Sequence, residues 1–73
     1  MKHAYDLNTF LKKFGQKLKD RREENSLTQE QCAELTGIEY KYFQRIEQGQ
    51  TNITLKTIHK ICQKLNINPK DLF

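Results

Sequence analysis

Disulfide staples, glycine loops and membrane spans are all scarce in this sequence. It has two cysteines, Cys32 and Cys62, and no C-x-x-C pair. That excludes the dense disulfide framework of small secreted domains and leaves two buried, reduced thiols as the expectation. Its three glycines, Gly15, Gly37 and Gly49, stand alone, so no glycine-rich loop is present to cradle a nucleotide phosphate. One proline, no Gly/Ser linker and no internal repeat interrupt the chain. No apolar run approaches the roughly 20 residues that a helix needs to cross a bilayer. The first residues, Met1 to Asp6, lack the apolar stretch of a signal peptide, which predicts a cytoplasmic protein with no membrane partner. No nucleophile stands in a pattern with a base and an orienting group, so neither catalysis nor a catalytic residue is expected. His59 and Cys62, three apart on one helix, have a spacing that suits two metal ligands. Cys62 belongs to an inward stripe and no second ligand pair is near, so the expectation is no metal and no cofactor.

The chain is 73 residues long, with 36% hydrophobic and 30% charged residues. That is enough for one small domain over residues 1–73, and at this size folding buries only about 60% of the extended chain's surface. Thirteen Lys and Arg against nine Asp and Glu leave a net charge of +4. The placement is sharper than the total: Lys12, Lys13, Lys17, Lys19, Arg21 and Arg22 face Asp20 alone within eleven residues. Such a block favours an anionic partner, nucleic acid first and anionic lipid second, with a solvated helix face as the plainer alternative.

Every strongly patterned segment has helical spacing, and none reads as a strand. Leu7, Leu11, Phe14 and Leu18 form one stripe, with Phe10 beside it, on a first helix capped by Asp6 or Asn8 and ended by Asn25-Ser26. Thr28-Gln29-Glu30-Gln31 is a capping box, with Leu27 and Cys32 at its staple positions. The short helix it starts ends at Gly37, where glycine supplies a left-handed cap. A third helix runs from about Tyr40 to Gln48. It turns Phe43 and Ile46 inward and Tyr40, Lys41, Gln44 and Arg45 outward, or leaves those four as an ordinary polar face. Thr54 can cap a fourth, with Leu55, Ile58, Ile61, Cys62 and Leu65 inward. Asn68-Pro69 starts a short fifth helical turn through Leu72 and Phe73.

The run from Leu27 to Ile38, followed by Tyr42-Phe43-Gln44-Arg45-Ile46-Glu47-Gln48-Gly49, resembles the helix-turn-helix of the Cro and phage-repressor (XRE) family. The similarity extends over about residues 14–73 and leaves 1–13 as an N-terminal extension of the first helix. It implies an all-α, compact, five-helix, lambda-repressor-like domain that binds double-stranded DNA. By that resemblance the second helix crosses the DNA backbone and the third lies in the major groove. Thr28 and Gln29 then approach phosphate, where the helix dipole also favours an anion. Tyr40, Lys41, Gln44 and Arg45 read base edges, and Tyr42 lies near the backbone. Their chemistry suits the task, since Arg or Lys addresses guanine O6 and N7 while Gln pairs with adenine N6 and N7. Thr51, Asn52 and Lys56 can donate to phosphate, or simply cap a loop. Arg22 and Glu47 occupy the positions of the family's structural ion pair. The sequence departs from the family pattern at Ser26, usually glycine; at Glu39, usually a small cap; and at Cys32, commonly leucine.

The implied function is a sequence-specific transcriptional regulator, a repressor or activator, acting as a homodimer on a palindromic operator with half-sites roughly 34 Å apart. Ile67, Leu72 and Phe73 are the first candidate dimer surface, and Tyr5, Leu7 and Phe10 either the second or an extension of the core. The Asn52–Lys56 loop is similar to that of restriction-modification controller proteins. A protein-interaction module with the same fold, or an antitoxin paired with a toxin protein, is the alternative.

Overall fold

The computed structural model describes residues 6–73. Tyr5, part of the second candidate dimer surface, lies outside them, as does the start of the expected N-terminal extension. Helix α1 spans Leu7–Glu24, α2 Gln29–Thr36, α3 Tyr40–Glu47 and α4 Leu55–Leu65; no strand occurs among the described residues.

The expectation of five helices is corrected to four α-helices and one 3-10 turn, Pro69–Leu72. Asn68 Oδ1 accepts from Lys70 N at 3.1 Å, and Asp71 N bonds to Asn68 O at 2.9 Å in the i→i+3 pattern. Only four residues follow Asn68 inside the turn, too few to establish the i→i+4 ladder of an α-helix.

Local chemistry sets the starts of α1, α2 and α4, while α3 begins after Glu39 with no side-chain cap. Asp6 accepts from Thr9 N at 2.8 Å, and this bond holds its carboxyl below the ordinary carboxylate range. Thr28 Oγ1 accepts from Gln31 N at 3.0 Å while Thr28 N donates to Gln31 Oε1 at 2.8 Å, closing the capping box. Thr54 caps α4 through Thr57 N. Gly37 ends α2 at φ +73°, and Ile38 N returns to Ala33 O, so α3 starts after only a three-residue turn.

Helix α1 packs on α3 and on the 3-10 turn, and α2 packs on both α3 and α4. Between them lie Phe14, Leu18, Cys32, Phe43, Ile46, Ile58, Ile61, Cys62, Leu65, Ile67 and Leu72. Thr36 is buried in the same layer and its hydroxyl donates to Cys32 O at 2.7 Å, so no polar cost is left there. Two inward expectations fail. Leu7 is 57% exposed and Leu55 78% exposed, because each is the first residue of its helix and lies beyond the turn that reaches the core. Gly15 is where α1 crosses α3: a Cβ there would run into the Glu47 and Ile46 carbonyl oxygens.

Candidate nucleic-acid interface

The short turn after Gly37 sets α3 against α2, so the outward side of α3 and the start of α2 share one surface. Tyr40, Lys41 and Arg45 are exposed on α3, while Tyr42 and Gln44 are half-buried. The Arg45 guanidinium lies 5.7 Å from the Tyr42 ring centroid, a cation-π geometry that steadies a long cationic side chain. Thr28 is exposed and Gln29 half-buried at the α2 start. After α3, Thr51 is half-buried, and Asn52 and Lys56 are exposed around the start of α4.

Beneath this surface lies a charged pair. Arg22 Nε donates to Glu47 Oε2 at 2.6 Å and Nη2 to Oε1 at 3.1 Å. Arg22 Nη1 also donates to Leu27 O at 2.8 Å, tying the end of α1 to the approach of α2. The hydrogen bonds to Glu47 push the Arg22 guanidinium above its already high ordinary value, so the charge is fixed. The pair connects outward. Gln29 Nε2 donates to Glu47 Oε1 at 2.8 Å, and Gln44 Nε2 donates to Gln29 Oε1 at 3.4 Å and to Tyr40 Oη at 3.2 Å. A continuous polar chain therefore runs from Arg22 to the exposed Tyr40.

The basic block of α1 is divided between two faces. Lys12, Gln16 and Lys19 line a groove with Gln29, Glu47 and Gln48, beside the α2 start. Lys13 and Lys17 line a different hollow with Phe10, Phe14, Leu72 and Phe73. Sequence reasoning set no site at Gln16 or Gln48. The i, i+4 spacing of Gln16 from Lys12 and the place of Gln48 beside Gly49 were the available signals.

The first candidate dimer surface is corrected. Ile67 is 7% and Leu72 1% exposed within the single chain, because both cover the α1 and α4 sides of the core. Phe73 is 56% exposed and packs on Phe14 and Phe10 at ring-centroid distances of 5.3 and 6.3 Å. Leu35 remains 52% exposed. His59 is exposed and Cys62 buried, so the two side chains do not share an environment. No helix of the described residues is long and apolar enough to cross a membrane.

A family model described as a helix-turn-helix domain matches residues 15–73. The chain is 35% identical over 68 residues to the control protein C.MunI of a Mycoplasma species, covering 92% of each. It is similar to the crystal structure of the restriction-modification controller protein C.AhdI from Aeromonas hydrophila. The TM-score is 0.85 at 40% identity, over 89% of this chain and 98% of that one. An HTH_3 family transcriptional regulator from Vibrio cholerae aligns with a TM-score of 0.86 at 26% identity, over 93% of this chain and 38% of that one.

Proposed function

The chain belongs to the helix-turn-helix domain family, and on that basis we propose that it is a sequence-specific DNA-binding transcriptional regulator of the restriction-modification controller kind. It acts in the cytoplasm of a prokaryotic or phage-infected cell by occupying an operator, without catalysis. The observation that carries this reading is the shared surface of α2 and α3, where exposed Lys41 and Arg45 flank Gln44 and Tyr40 beside the capped α2 start. Donors for phosphate and donors for base edges are thus set side by side, as direct readout needs.

In this reading Lys41, Arg45, Gln44 and Tyr40 face base edges. Thr28, Gln29, Tyr42, Thr51, Asn52 and Lys56 position the backbone, and Lys12 and Lys19 extend the phosphate track along α1. A homodimer places two copies of α3 in successive major-groove turns, and Leu7, Phe10, Leu35, Leu55 and Phe73 are among the large apolar side chains left exposed for contact between copies.

Selection from a randomised duplex library at near-physiological salt tests the reading, and enrichment of a two-fold symmetric site is the expected result. Lys41→Ala and Arg45→Ala each reduce affinity about 5- to 160-fold, the range for a base or phosphate contact worth roughly 1–3 kcal/mol, with an unchanged melt. Affinity also falls steeply as salt rises. Equal binding by both variants removes α3 from the interface.

A further inference from the structure

A glutamine carries one carbonyl acceptor and an amide with two N–H donors, so in the sequence alone either end of Gln44 is free to meet a base. The fold removes that freedom. Glu47, held by Arg22, offers acceptor oxygens only, so the group that meets its Oε1 at 2.8 Å is the amide nitrogen of Gln29. Gln29 is thereby turned with Oε1 toward α3, where it accepts from Gln44 Nε2 at 3.4 Å. The same nitrogen donates to Tyr40 Oη at 3.2 Å. Both donors of Gln44 are engaged inside the protein, and its carbonyl oxygen accepts no hydrogen bond from the described residues.

Given that α3 faces DNA, as proposed above, we propose that Gln44 is a specificity-determining residue that reads the major groove through its Oε1 alone. It selects an exocyclic amine, adenine N6 or cytosine N4, and makes no use of the purine N7 acceptor. An unconstrained glutamine would pair with adenine N6 and N7 together. The difference is imposed by Glu47, which sets the polarity of the whole chain of bonds and never approaches the base itself. Gln29 is a positioning residue in this arrangement, and Tyr40 occupies the second donor.

The test uses the intact protein and the duplex it selects. Gln44→Ala and the near-isosteric Gln44→Met pass through the same selection with their melts recorded, and the base position whose preference they lose is the Gln44 position. At that position one duplex lacks the exocyclic amine, with purine in place of adenine or 2-pyrimidinone in place of cytosine. A second lacks the purine N7, as the 7-deaza analogue. Amine removal is expected to weaken the wild type roughly five- to tenfold and the variants less than about twofold, while loss of N7 weakens neither. The acceptor-only role is overturned, with DNA binding intact, by any of three results: N7 sensitivity that Gln44 substitution abolishes, indifference of the wild type to amine removal, or an unchanged selected site in a folded variant. Folded wild-type protein that enriches no sequence removes both the role and the DNA-binding reading.

Discussion

Arg22 and Glu47, separated by 25 positions in the chain, are joined by two parallel hydrogen bonds of 2.6 and 3.1 Å. Their side chains are 9% and 2% exposed, so the pair closes the seam between α1 and α3 from inside. Attraction at this depth is offset by the loss of hydration of both charges, and the pair matters most when one member is removed. Glu47→Ala strands the guanidinium and frees the Gln29 amide. The expected cost is about 3–5 kcal/mol, read as a lower urea midpoint with an unchanged slope. An unaltered midpoint would show that the pair contributes nothing.

Gly15→Ala sets two effects against each other. Alanine favours a helix interior by up to about 1 kcal/mol over glycine. The added methyl meets the Ile46 and Glu47 carbonyl oxygens, which are backbone and cannot swing aside. Overpacking of this kind costs roughly 1–3 kcal/mol or more, so the variant is expected to melt lower despite its better helix propensity. A higher melting temperature would mean that α1 slides freely over α3.

Ser26 has φ +58°, a left-handed conformation that an L side chain adopts at a cost of roughly 1–2 kcal/mol. Its side chain is exposed between α1 and the α2 cap. Ser26→Gly relieves the conformation but adds about 0.4–1 kcal/mol of unfolded-state freedom. The net expectation is a gain of up to about 1.6 kcal/mol, measured by chemical denaturation, with DNA affinity unchanged. A destabilised variant contradicts the account of this turn.

Cys32 is fully buried, and burial pushes its thiol up to about 11, above the ordinary thiol range. The neighbouring Arg22 pulls in the opposite direction and does not prevail. A group raised in the folded state contributes stability that is complete below its unfolded value. That stability is then lost as pH rises through 9 toward 11. Iodoacetamide at pH 8 is therefore expected to label Cys32 slowly in native protein and quickly in urea. Equal rates in the two states would place the thiol at the surface.

Residues a few positions apart in the chain account for the starts of α1, α2 and α4 and for the sharp turn between α2 and α3. Thr28 with Gln31, Thr54 with Thr57 and Gly37 with Ala33 each act within four residues, so their bonds form from local chain geometry alone. The sequence also sets the inward stripes through Phe14, Leu18, Phe43, Ile58 and Ile61, whose helical period leaves one apolar face. The rest follows from how the helices pack on one another. Leu7 and Leu55 share those stripes yet remain exposed, because burial depends on how far the opposing helices reach. The lysines of one short block line two different hollows because α3 and the 3-10 turn both pack against α1. Which end of Gln44 is offered to a ligand depends on a carboxylate that only the packing of α1, α2 and α3 brings within reach of Gln29.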